Sequence, residues 1–217
     1  MALLVNEIFK SIQGESWFAG LPCVFVRLTG CNLRCKYCDT TYAYDGGEEL
    51  PVEELVERLA AYPAFGGTQL VEITGGEPLL QGETPELAEA LLQKAKTVLV
   101  DTNGTLDIGI LPKGIVRIVD VKCPDSGQSE RMFWENMDRL LRTDEVKFVL
   151  QSRRDYEWAK SIVEDYELLR RCMVLFSPAF GTLQPRTLAE WILADNLTVR
   201  LNLQLHKYIW SPDKTGV

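Results

Sequence analysis

Short β-branched runs alternate along this chain with amphipathic stretches. The runs predict strands at Ala2–Ile8, Cys23–Leu28, Gln69–Ile73, Thr97–Asp101, Val116–Val121, Val146–Leu150, Met173–Phe176 and Thr198–Leu203. The amphipathic stretches predict helices at Val52–Tyr62, Pro85–Lys96, Glu130–Leu141, Arg154–Glu167 and Thr187–Asn196. Leu55, Leu59 and Tyr62 share one helical face, and Pro51 and Pro85 sit where a first helical turn accepts proline. The β-α alternation argues for an α/β fold with a parallel sheet covered by helices, curled by right-handed crossovers. The chain, at 217 residues, has too few units for an eight-fold barrel of about 250. The expectation is a partial, open (β/α) barrel of about six parallel strands with a flanking N-terminal strand. With no internal repeat, low-complexity tract or linker, residues 1–217 are expected to form one domain.

In such folds the chemistry gathers where strands end. Gly30-Cys31 follows the second predicted strand and Thr74-Gly75-Gly76-Glu77-Pro78 the third. Asp101-Thr102-Asn103-Gly104, Asp120-Val121-Lys122, Ser177-Pro178 and Gln204-Leu205-His206-Lys207 follow later ones. Polar and glycine-bearing segments therefore recur at one rim.

Composition narrows the picture. A net charge of −8 argues against a duplex nucleic-acid partner, which needs a basic face. No apolar run approaches the roughly 20 residues of a membrane span, and Met1 to Lys10 lacks the features of a signal peptide. A cytoplasmic protein is expected, with no membrane partner and with its six cysteines reduced. His206 is the single histidine, so a two-histidine metal site within one chain is excluded.

Cys31, Cys35 and Cys38 supply three thiolates from one tight loop. A four-iron, four-sulfur cluster normally takes four protein thiolates, so three would leave one iron open to a ligand. Leu33 and Tyr37 can shield such a cluster. Zinc would want a fourth ligand, and Cys23, Cys123 and Cys172 lie singly, as buried thiols do.

The stretch Cys31-Asn32-Leu33-Arg34-Cys35-Lys36-Tyr37-Cys38, followed by Thr74-Gly75-Gly76-Glu77-Pro78, resembles the radical S-adenosylmethionine superfamily. That resemblance implies a [4Fe-4S] cluster on the three cysteines, S-adenosyl-L-methionine on the open iron, and an external electron donor of flavodoxin or ferredoxin type. The electron it supplies cleaves the sulfonium and yields a 5′-deoxyadenosyl radical that takes hydrogen from substrate. Gly75, Gly76 and Glu77 would meet the methionine moiety, Asp101 and Asn103 the ribose side, and Asp120, Lys122 and Ser177 its carboxylate and adenine.

The N-terminal segment Asn6 to Ser16, with Ser11-Ile12-Gln13-Gly14-Glu15, and the strand ending in Arg27 are similar to the 7-carboxy-7-deazaguanine synthase family. That family rearranges 6-carboxy-5,6,7,8-tetrahydropterin to 7-carboxy-7-deazaguanine with loss of ammonia, in 7-deazapurine (queuosine) biosynthesis. The resemblance implies a pterin site built from Ile12, Gln13, Gly14, Glu15, Arg27, Thr74 and His206, with Mg2+ at Thr40. Glu15 suits the donors of an amino-pyrimidinone and Arg27 a bidentate carboxylate. It further implies a homodimer. Plainer roles compete: a solvated turn for Gln13 and Glu15, a surface ion pair for Arg27, a loop cap for Asp39-Thr40, an Asn-Gly turn at Asn103 and an ordinary histidine. A glycyl-radical-enzyme activase shares the cysteine spacing but would need a groove for a polypeptide. A zinc or redox protein would have no use for the Gly75-Gly76 segment. The acidic run Glu48-Glu49 with Glu53-Glu54 reads as a solvated helix start.

Overall fold

The computed structural model describes residues 2–62, 70–212 and 214–217; residue 69, at the start of one predicted strand, lies outside them. Strand β1 (Ala2–Ile12) pairs antiparallel with β2 (Pro22–Leu28) and, on its other edge, with β3 (Glu48–Pro51). From β2 onward every neighbour is parallel: β4 (Leu70–Gly75), β5 (Thr97–Thr102), β6 (Val116–Val121), β7 (Glu145–Leu150), β8 (Met173–Pro178) and β9 (Arg200–Leu201). The order is β3-β1-β2-β4-β5-β6-β7-β8-β9, an open sheet rather than a closed ring. Six of the parallel strands have six or seven residues, so the partial barrel expected from the sequence is the observed architecture.

Period-two alternation in the strands separates two apolar clusters. Val24, Val26 and Leu28 of β2, Val71 and Ile73 of β4, Val98 and Val100 of β5, and Val146, Phe148 and Leu150 of β7 belong to the main core. That core takes in Leu55 and Leu59 of α1 (Val52–Ala60), and Leu87, Ala88 and Leu91 of α2 (Thr84–Leu92). After α3 (Asn136–Arg139), it adds Tyr156, Ala159 and Val163 of α4 (Arg153–Asp165). Past α5 (Leu168–Arg171), Leu188 and Ile192 of α6 (Pro185–Ala194) complete it. Each fully buried side chain of this size contributes roughly 1.5–3 kcal/mol.

The opposite set of alternating positions behaves differently. Cys23, Phe25, Leu70, Leu99 and Ile118 form a second, smaller cluster on the inner face, with Phe9 stacked on Phe25 at 4.8 Å. Two residues further along each strand the same face turns polar: Arg27 after Phe25, Glu72 and Thr74 after Leu70, Asp101 after Leu99, Asp120 after Ile118. The inner face thus has an apolar floor and a charged rim.

Four expectations need correction. Glu48–Pro51 is strand β3, because its backbone completes the free edge of β1. The helix expected at Glu130–Leu141 reduces to a 3-10 turn at Ser129–Arg131 and the single turn α3. The cause is Asn136, whose buried amide donates to the Gly104 and Leu106 carbonyls while its oxygen accepts from Ile108 N, tying the segment to the loop after β5. The strand expected at Thr198–Leu203 keeps only two residues, since Asn202 turns inward to donate to Ser177 Oγ at 2.8 Å. His206 consequently opens the one-turn helix α7 (His206–Ile209). Among the described residues no helix is long and apolar enough to cross a membrane.

Candidate active site

The charged rim borders a cavity of about 480 Å³ at the carboxyl ends of β2 and β4 to β8. Residues 12–16 and the segment from Gln204 to Lys207 close it from the other side. The cavity is lined by Ile12, Gln13, Gly14, Glu15, Arg27, Thr74 and His206, by Cys31, Cys35, Cys38 and Thr40, and by Gly75, Gly76, Asp101, Asn103, Asp120, Lys122 and Ser177. Of the residues singled out in the sequence, Glu77 alone does not line it.

The cysteine wall is held by backbone. Gly76 N donates to Leu28 O at 3.2 Å and Glu77 N to Gly30 O at 2.8 Å, so the segment after β4 backs the loop after β2. A Cβ on Gly76 would lie 2.2 Å from Gly30 O and 2.7 Å from Cys31 Cβ. The glycine is required by this approach of two backbones. Glu77 faces the interior, fully buried, and accepts from Leu79 N, Thr102 Oγ1 and Asn103 N. Burial pushes its carboxyl up, against those three donors, to about 7. Its place is that of a brace between β4 and β5. Asn103 donates to Asn32 Oδ1 at 2.9 Å and Asn32 in turn to Thr105 Oγ1 at 2.8 Å, which joins the end of β5 to the cysteine loop.

The three cysteines are free and half-buried, with Lys122 near Cys35 and its ammonium 6.0 Å from the Tyr37 ring. Among the described residues no three His, Cys, Asp or Glu side chains converge on a single ion. Three free thiols on one wall of the cavity are the ligand type an iron–sulfur cluster takes. The Tyr37 hydroxyl and Asp120 Oδ1 are buried without a hydrogen-bond partner among the described residues. Such groups are expected where a bound polar molecule completes them. The donor set therefore fits both cluster and nucleoside-bearing cofactor.

The facing wall is charged. Lys147 Nζ lies 3.1 Å from Glu15 Oε2, 2.9 Å from Asp101 Oδ2 and 3.7 Å from Asp120 Oδ2, and Lys122 pairs with Asp120 at 2.8 Å. Burial would raise Glu15, but Lys147, then His206 and Gln204, outweigh it and hold the carboxyl below its ordinary value. Burial, reinforced by Asp101, lifts Glu72 well above the usual range, and Glu72 accepts from the Gln13 amide. Arg27 spends Nε on Glu7 at 2.7 Å and lies against the Phe9 and Tyr42 rings. Its two terminal nitrogens have no partner among the described residues, which leaves the bidentate edge for a ligand.

The C-terminal segment is fastened to this wall. Leu205 N donates to Gly14 O at 2.9 Å, Gln204 donates to Glu15 Oε1 at 3.0 Å, and Lys207 donates to Asp39 Oδ2 at 2.5 Å. Burial opposes but Lys207 prevails, so Asp39 drops to about 2. Thr40 donates to Asp39 Oδ1 at 3.0 Å. Burial lowers His206, and a Cβ on Gly14 would lie 2.3 Å from His206 Nδ1, so a larger residue here would displace the ring.

Glu72, Lys147, Asp39, Gln204 and Lys207 also line the cavity and were not singled out as site residues from the sequence. A signal existed for two of them. Glu72 in Leu-Val-Glu-Ile and Lys147 in Val-Lys-Phe-Val are charges inside strands that a parallel sheet normally buries on both faces.

Comparisons with known proteins agree with this geometry. Residues 25–121 match the radical SAM superfamily. A crystal structure of QueE from Escherichia coli superposes with a TM-score of 0.79 over 95% of each chain at 22% identity, which is a likeness of fold. Fold, cysteine loop and glycine segment define a radical S-adenosylmethionine protein. The 7-carboxy-7-deazaguanine synthase of Chlorobaculum tepidum is 47% identical over 99% of this chain and 97% of its own length. That of Koribacter versatilis is 45% identical over 98% and 99%. The chain belongs to the 7-carboxy-7-deazaguanine synthase family.

Proposed function

We propose that this chain converts 6-carboxy-5,6,7,8-tetrahydropterin to 7-carboxy-7-deazaguanine with loss of ammonia. The observation that carries the reading is the convergence of three free thiols with Gln13, Glu15 and Arg27 on one cavity. Cys31, Cys35 and Cys38 would hold the [4Fe-4S] cluster. When bound, the cluster and S-adenosylmethionine supply one electron and a carbon-centred radical that removes a hydrogen atom from substrate.

The protein's own work is to bind and orient. Arg27 offers its two terminal nitrogens to the substrate carboxylate, and the Phe9 and Tyr42 rings hold its plane. Glu15, kept ionised, accepts from the amino-pyrimidinone edge while Gln13 and the buried Glu72 back it. Ile12 and Gly14 flank this edge, Thr74 lies at the carboxyl end of β4, and His206 closes the cavity from the C-terminal side. Gly75, Gly76, Asp101, Asn103, Asp120, Lys122 and Ser177 would contact the cofactor, and Glu77 would act through the backbone it braces. Thr40 provides a hard oxygen for Mg2+, which prefers few protein oxygens plus substrate and water.

Residues 1–217 would act as one domain, because the main core runs from Leu3 of β1 to Ile192 of α6. The family resemblance supports a homodimer in the cytoplasm, served by a flavodoxin- or ferredoxin-type donor. The activase alternative has less support, since the cavity is small and walled by charges suited to a small acidic substrate.

The test is anaerobic reconstitution, then incubation with S-adenosylmethionine, reductant, magnesium and 6-carboxytetrahydropterin, with products read by mass spectrometry. The expected product is 7-carboxy-7-deazaguanine, absent for Cys31→Ala. Slow 5′-deoxyadenosine alone, from an intact cluster, would reject the pterin substrate.

A further inference from the structure

Glu15 has both carboxylate oxygens engaged within the chain, by residues far away in sequence. Lys147 Nζ donates to Oε2 at 3.1 Å and Gln204 Nε2 to Oε1 at 3.0 Å. An ionised carboxylate has about four acceptor positions, two on each oxygen. One donor on each oxygen leaves one acceptor position on each, and the two donors limit rotation of the carboxylate. Lys147 is itself anchored on the opposite side by Asp101 at 2.9 Å, and its side chain is 7% exposed, so it has little freedom to swing away. Gln204 is anchored by a second acceptor, Asp39 Oδ2 at 3.2 Å.

From this we infer that Lys147 and Gln204 are positioning residues that present Glu15 as a two-point acceptor, and so make the site selective for a 2-amino-4-oxopyrimidine edge. Such an edge carries adjacent N–H and NH2 donors, matching the two remaining positions. A 2-oxo counterpart offers only one donor and sets a carbonyl oxygen against a carboxylate oxygen, which leaves buried groups unpaired. Burial tends to raise Glu15, and the ammonium of Lys147 is the largest influence opposing it, which keeps the acceptor ionised for this task. The inference rests on the pterin reading above and adds which residues set its selectivity.

The test is equilibrium calorimetry without turnover. Cluster-loaded, oxidised protein with S-adenosylmethionine and no reductant is titrated with 6-carboxytetrahydropterin and with its counterpart carrying oxygen in place of the 2-amino group. Wild type should prefer the amino compound by about a hundredfold or more. Lys147→Met and Gln204→Leu should each shrink that preference by about tenfold, mainly through the amino compound. Gln204→Leu should leave S-adenosylmethionine affinity unchanged. Lys147→Met removes the ammonium that faces Glu15, Asp101 and Asp120, so if it does not fold, Gln204→Leu decides. An unchanged preference in folded variants, or equal weakening toward both compounds, overturns the assignment. Wild type that binds neither compound overturns the pterin reading along with it, whereas wild type that discriminates while the variants do so equally overturns the positioning role alone.

Discussion

The two walls of the cavity are built on different principles. The cysteine wall is a single segment, Gly30 to Cys38, held by backbone hydrogen bonds to the turn after β4 and by an amide network through Asn103. The facing wall is a set of side chains from six places: Gln13 and Glu15, Arg27, Glu72, Lys147, Gln204, and His206 with Lys207. Its cohesion is ionic, through Lys147 to Glu15 and Asp101 and through Lys207 to Asp39. The cysteine wall depends on close backbone contact at Gly76, and the facing wall depends chiefly on matched charge. On the proposed function, that contrast would separate what carries the reactive group from what selects the substrate.

The comparison breaks most completely at the cysteines. Cys35→Ala should abolish product formation and brown colour together, while substrate-side contacts persist; the check is iron content alongside mass spectrometry of products. Gly76→Ala should follow. Its Cβ would meet Gly30 O at 2.2 Å, so two backbones must part. A loss of about 2–4 kcal/mol in stability is expected, with poor cluster retention, measured by thermal melting and iron analysis.

On the facing wall the damage should be selective. Arg27→Lys keeps a charge but loses the bidentate edge. Substrate KM is expected to rise about a hundredfold, with cluster content and S-adenosylmethionine affinity intact; steady-state kinetics and calorimetry on the same preparation check it. A matching loss of cluster would erase the distinction between the walls.

The smallest effect concerns pH. Glu145, at the start of β7, accepts from Trp17 N with both oxygens and so anchors the loop that follows Glu15. Burial raises its carboxyl to about 7. A group raised on folding contributes stability below its unfolded pKa and loses it as pH climbs through the folded one. Wild-type stability should thus fall by on the order of 2 kcal/mol or less between about pH 4.5 and 7 from this group. Glu145→Gln, which still accepts from Trp17 N, should flatten that slope in a melting series.

Legibility followed the same divide. Cys31, Cys35, Cys38 and Gly75-Gly76 could be read directly, because their chemistry depends on spacing within one segment and on backbone freedom. Most of the strands and four of the five expected helices could be read from periodicity, since burial of one face imposes a rhythm. Glu130–Leu141 misled because Asn136 is bonded to a loop some thirty residues earlier, which periodicity does not register. Glu48–Pro51 misled because an edge strand takes its structure from its partner.

Residue order alone determined the α/β architecture, the cysteine loop and the alternation that places charge on one face of each strand. These are properties of neighbours along the chain, governed by sterics and hydrophobic period. Only the tertiary structure decided that Lys147 faces Glu15 across the sheet, that Gln204 returns from the C-terminal segment to the other oxygen, and that Glu77 turns away from the cavity. Those outcomes depend on which distant carboxylates and ammonium groups meet once water is excluded, and a charge buried in company behaves by the company it meets.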